Sequence, residues 1–242
     1  MKRFLVPLLL AATPAVAEYD SETRAYIEAN TLGIFYHEMG HALIDILGLP
    51  IFGQEEDAAD VLSVFMIDGF YDEEAAVSLA YDTAFGFQAE AEDMGEPAYW
   101  DVHGPDLQRY YNLVCLFYGA NPDERDDVAE DLGLPEERAD YCPEEYDQAA
   151  GSWGAVLDEL VAAGPGRSFR LKDVSDGSED AVLAHEVLSA EVAALNGEMS
   201  LPQTLEIRVA YCDEANAFYD PADQSITYCV EFVRHLAAQA NW

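Results

Sequence analysis
Apolar residues recur every three or four positions through the first two thirds of the chain. The period predicts five helices, over residues 21–47, 55–68, 72–92, 105–118 and 143–163. Gly48 stands where the first should stop, and Pro143 suits the first turn of the last. The third carries Tyr81, Phe85 and Phe87 among its apolar positions. The fourth is built on Leu107, Tyr110, Tyr111, Leu113, Val114 and Leu116, and the fifth on Tyr146, Trp153, Val156, Leu157 and Leu160. At Ala163-Gly164-Pro165-Gly166 the pattern breaks, marking a subdomain boundary. Beyond it, Ser168–Leu171 reads as a short strand and 179–195 as a helix. Thr204–Tyr211 alternates with period two, a strand pattern. Ala217–Tyr219 and Ser225–Tyr228 read as two more strands around Asp220–Gln224. The pattern assigns no element after Tyr228. The expected fold is α+β: a mainly helical body over about 18–163 and a small antiparallel sheet within about 167–242.

The N-terminus departs from both periods. Met1-Lys2-Arg3 is followed by an apolar run from Phe4 to Ala12 and then by Ala15-Val16-Ala17. That is a signal peptide over 1–17 with an A-x-A cleavage site. The run is too short for a stable membrane anchor. The mature chain then starts at Glu18 and is secreted or periplasmic, with no membrane anchor left.

Composition narrows the partners. Half of the 242 residues are apolar, enough for a sizeable core in one domain. Eleven basic residues face 48 acidic ones, a formal charge of −37, and cleavage of the leader leaves Lys172 as the only lysine. Such a surface repels nucleic acid and anionic membranes. The acidic residues are scattered and form no calcium loop, so they read as solubility. Cys115, Cys142, Cys212 and Cys229 fit an oxidising compartment. Four cysteines allow three pairings. The local choice is Cys115–Cys142 and Cys212–Cys229, the second bridging two strands of one hairpin.

The chemistry lies in the first two helices. His37-Glu38-Met39-Gly40-His41 is H-E-x-x-H inside an apolar helical stretch. Positions four apart share a helix face, so both imidazoles can aim at one zinc ion. Glu38 is placed as general base for a metal-activated water. After a turn at Gly48–Gly53, Glu56 and Asp60 form E-x-x-x-D at the start of the second helix. Glu56 is the expected third ligand, with the fourth position open to water. Asp60 would accept the free ring N–H of His37 or His41. The competing reading is two ordinary helix histidines beside a solvated acidic face. His103 and Tyr219 are the candidate oxyanion donors, with Tyr110 and Tyr111 as weaker ones. Asp45 reads as a supporting partner rather than a ligand. His185 and His235 lack a partner motif and read as structural.

The order H-E-x-x-H then E-x-x-x-D resembles the gluzincin metallopeptidases, the thermolysin-like superfamily. The chain is more closely similar to a family of exported bacterial proteins, domain of unknown function 4344, labelled putative metallopeptidase. The segments that carry the likeness are His37–Asp45, Glu55–Asp60, Tyr111–Cys115, Leu134–Arg138, Ser152-Trp153 and Asn216–Pro221. The resemblance implies a zinc-dependent, zincin-like fold and brings no substrate with it.

Two functions follow. One is a zinc peptidase acting on peptide or protein substrates. The other is a metal-holding interaction module without catalysis. For the first, the hairpin 216–228 is the expected edge against which substrate would lie as an added strand. The contrary reading makes it only a disulfide-stapled hairpin.

Overall fold
The computed structural model describes residues 19–174 and 177–240; the leader read at 1–17 lies outside them. Helix α1, Ser21–Leu47, is the axis of the molecule. The Asp20 carboxylate caps its start by accepting the Thr23 N–H. Gly48, at φ 63°, ends it: Gly48 N–H reaches the Asp45 carbonyl and Leu49 N–H the Ile44 carbonyl, a Schellman arrangement. Tyr36, Met39 and Leu43 on α1 are fully buried. The helix is wrapped on several sides: α2 (Glu55–Phe70) and α3 (Glu73–Met94) pack against it, as do C-terminal elements.

Antiparallel return of α2 along α1 is very close. A Cβ on Gly40 would lie 2.7 Å from the Ala59 Cα. Glycine inside the H-E-x-x-H segment therefore sets the separation of these two helices. Helix α4, Asp106–Ala120, covers α2 and α3. Two short helices, α5 (Asp126–Asp131) and α6 (Glu136–Ala139), follow where the periodicity predicts none. At six and four residues they are too short to show a period. The predicted helix 143–163 is α7 (Cys142–Ala149), a π-helical turn (Ala150–Gly154) and α8 (Ala155–Ala163). The π turn delivers Trp153, whose Nε1–H donates to the Ala58 carbonyl of α2 at 2.8 Å.

The C-terminal part confirms α+β and corrects the sheet. Strands β1 (Phe169–Leu171), β2 (Leu205–Ala210), β3 (Ala217–Asp220) and β4 (Ser225–Cys229) lie in the order β1-β2-β4-β3. The sheet is mixed rather than antiparallel: β1–β2 and β2–β4 are parallel, and only β3–β4 is antiparallel. The crossover helix α9, Glu179–Glu198, returns the chain between β1 and β2 and forces them parallel. Strand β4 inserts between β2 and β3, buried along its whole length. Helix α10, Glu231–Gln239, which the periodicity leaves unassigned, then packs on α1.

Both local disulfides form. Cys115–Cys142 joins α4 to α7. Cys212–Cys229 ties the end of β2 to the end of β4, so it bridges parallel neighbours and not one hairpin. One hydrophobic cluster runs from Phe35 and Leu62 through to Leu188, Ile207 and Tyr228, across the boundary at 163–166. No described helix is long and apolar enough to cross a membrane.

Candidate metal centre
A cleft of about 1540 Å³ opens between α1, the start of α2, the end of α3, the 95–105 loop, β3 and α10. It exceeds the roughly 300–1,000 Å³ usual for small-molecule pockets and has room for an extended chain. His37, Glu38, His41, Glu56 and Asp60 all line it.

Helical spacing and the Gly40–Ala59 approach bring three donor atoms together. His37 Nε2 is 3.2 Å from Glu56 Oε2, His41 Nε2 is 3.1 Å from the same oxygen, and the two nitrogens are 3.3 Å apart. Donors held tetrahedrally at about 2.0–2.1 Å from zinc are themselves about 3.3 Å apart, so the triangle fits one face of such a site. The outward nitrogens are fixed as well. His37 Nδ1 lies 2.7 Å from Asp60 Oδ1, and His41 Nδ1 lies 2.8 Å from Glu55 Oε1. With each Nδ1–H given to a carboxylate, the neutral rings present lone pairs at Nε2. Lone pairs facing a carboxylate oxygen repel unless a proton or cation lies among them. A proton answers part of that demand: burial opposes charge on His37, but its bonds to Asp60 and Glu56 prevail and push it up to about 9. Hydrogen bonding to His37 holds Glu56 down at about 2. A divalent cation would meet the whole demand.

Asp60 takes the supporting position expected of it, but not alone. Arg109 of α4 grips it with two hydrogen bonds of 2.8 Å, Nε to Oδ2 and a terminal nitrogen to Oδ1. The guanidinium lies 4.5 Å from the centre of the Phe87 ring. Burial would raise the Asp60 carboxyl, yet the bonds from Arg109 and His37 hold it well below its ordinary range. Sequence reasoning missed Arg109. The available signal was a cation inside an apolar helix of a chain with so few cations.

Glu38 points into the cleft beside the triangle and belongs to no edge of it. Burial raises its carboxyl; His37, His41 and a hydrogen bond from the Tyr219 backbone N–H pull the other way. Thus β3 lies against α1 at the candidate base. Its register identifies the free edge. Cys229 N–H bonds to the Asn216 carbonyl, so the Ala217–Tyr228 and Tyr219–Ile226 pairs are the non-hydrogen-bonded ones. The amides and carbonyls of Ala217 and Tyr219 face away from β4, towards the cleft.

The remaining candidates separate. The Tyr219 hydroxyl donates to Asp45 at 2.7 Å, tying β3 to α1. Tyr110 donates to the Leu132 carbonyl in the core, and neither it nor Tyr111 lines the cleft. His185 does not line it either, whereas His235 does, paired with Glu90 and Gln239. His103, on the 95–105 loop, sets its Nε2 3.0 Å from Glu56 Oε2. Among the described residues, donor atoms of His37, Glu56 and His103 lie within 4.8 Å of one another.

A family model described as "Putative metallopeptidase" matches residues 10–157 and 172–241. No curated protein and no solved structure matches the chain.

Proposed function
The chain belongs to this metallopeptidase family, and from that premise we propose that it is a zinc-dependent peptidase with Glu38 as general base. His37, His41 and Glu56 would hold the zinc. The observation that carries the reading is their donor triangle, 3.1–3.3 Å on each edge, on the wall of an open cleft. Bound zinc supplies Lewis acidity, which makes a water acidic near neutral pH and polarises a carbonyl. Glu38 takes up a proton at its carboxylate and passes it to the leaving amine. Burial lifts this carboxyl towards the working range of such a base, and the Tyr219 N–H fixes its orientation. Arg109 and Asp60 hold the His37 ring.

The outer edge of β3 gives an extended peptide a backbone to pair with. The Asn216 side chain caps the Ala217 N–H at 2.8 Å, and an incoming strand would displace it. Tyr219 spends its hydroxyl on Asp45 and its N–H on Glu38, so it would meet an incoming strand through its carbonyl. The reading includes an exported protein with a peptide or protein substrate, consistent with two disulfides.

The test separates binding from chemistry. Replacing His37, His41 or Glu56 by alanine should remove most of the metal. Glu38→Gln should keep about one metal per chain and lose about 10²–10⁴-fold in hydrolysis of a peptide library. Chelation should stop the parent. A parent that holds metal and cleaves nothing would instead establish the interaction module.

A further inference from the structure
Three histidines place an Nε2 near Glu56 Oε2, each with a carboxylate near its Nδ1. His37 has its Nδ1 on Asp60 and His41 has its Nδ1 on Glu55. His103 carries a looser version of the arrangement on a loop. Its Nε2 lies 3.0 Å from Glu56 Oε2, its Nδ1 lies 3.4 Å from Asp101 Oδ1, an ion-pair distance rather than a hydrogen bond, and its backbone N–H donates to that oxygen at 3.1 Å. A carboxylate behind the outer nitrogen and a lone pair directed inward is how a metal-binding imidazole is held. An oxyanion donor needs the reverse, a proton on the inward nitrogen.

What differs among the three is burial. The His37 side chain is 4% exposed, His41 14% and His103 45%. The first two sit on a packed helix. The third sits between Gly95, at φ 73°, and Gly104, on a segment whose Tyr99, Trp100 and Val102 are exposed. His103 can therefore withdraw without disturbing the core.

We propose that His103 is a fourth protein donor to the metal, carried by the 95–105 loop, and that it fills the coordination position that hydrolysis needs open. Closed four-donor zinc sites are structural, and catalytic ones keep a position for water. The centre is thus shut at rest and opens when the loop lifts His103 away. This inference rests on the metal reading above.

The experiment uses the full mature chain loaded with Co²⁺, with Zn²⁺ affinity measured by chelator competition. His103→Ala should weaken metal binding at least about tenfold, the lower end of what losing a supporting partner costs. It should also change the visible Co²⁺ spectrum and let added azide bind at lower concentration than in the parent. Asp101→Asn should shift all three in the same direction by less. His103 is exposed, so circular dichroism should show both variants folded. Equal affinity, spectrum and azide response in parent and His103→Ala would overturn the proposal and leave the metal reading intact. Lower hydrolysis with unchanged metal binding would also overturn it, making His103 a donor to substrate. A parent that binds no metal would overturn both.

Discussion
Helix α2 carries a buried arginine knot at each end, and the two are made of the same parts. At the far end Arg125, 2% exposed, donates to Glu73 through two bonds of 2.8 Å and to the Phe117 carbonyl at 2.7 Å, and reaches Asp68 at 2.7 Å. Asp68 in turn accepts the Tyr146 hydroxyl at 2.7 Å. Every polar atom there ends on a partner that asks for nothing more. At the near end Arg109 grips Asp60, but Asp60 hands on to His37, whose other nitrogen faces Glu56 and two further histidines. A buried ion pair does not mark a site. A set of donor atoms converging on one point at the wall of a cleft does, and of these two knots only the near one ends in such a set.

Removing each arginine tests this directly. Arg109→Met and Arg125→Met should each cost about 3–5 kcal/mol in denaturant unfolding, because each strands a buried carboxylate. Only Arg109→Met should also weaken metal binding in the folded protein, by about 10–100-fold through the loosened His37 ring. Equal metal loss in Arg125→Met would break the comparison, since the far knot would then be holding the site through α2.

Gly40→Ala sharpens it at the next scale. The new methyl meets the Ala59 backbone and pushes α2 from α1, at a cost of about 1–3 kcal/mol. Metal affinity should fall with it, because the displacement opens the donor triangle. The Arg125 knot bonds to Asp68, Glu73 and Phe117 and not to α1, so the acid response of Glu73 should survive.

The smallest effect is acid sensitivity of the far knot. Hydrogen bonding to Arg125 holds the Glu73 carboxyl below its ordinary 4.5. Its stabilising contribution is therefore complete above pH 4.5 and fades as pH falls through the lowered value. Partial exposure keeps it small. Unfolding measured from pH 6 to 3 should show a shallower decline for Glu73→Gln than for the parent. Identical slopes would mean that the pair contributes nothing.

The chemistry that could be read from the sequence was local. His37, Glu38 and His41 are tied by the pitch of one helix, and Glu56 and Asp60 by the pitch of the next, so spacing alone brought them together. The cysteine pairs were near in sequence and paired as expected. What escaped reading was decided by neighbours remote in the chain. Alternation identified β2 and β4 as strands, yet it cannot say that β4 slips between β2 and β3. Arg109 looked ordinary because its place depends on α4 packing over α2, and His103 read as an oxyanion donor because spacing could not set it beside Glu56. Tyr110 looked available for chemistry and is instead tied to the Leu132 carbonyl.

The hydrogen bond from the Tyr219 amide to Glu38 has a consequence for biosynthesis. The H-E-x-x-H letters emerge early in translation, yet the strand that steadies their glutamate is among the last segments made. Contacts between such distant parts of a chain form late in folding. A nascent polypeptide, or a fragment severed at the 163–166 loop, carries the complete motif without its finishing contact. The surroundings of Glu38 are therefore complete only once β3 has been made and has folded against α1.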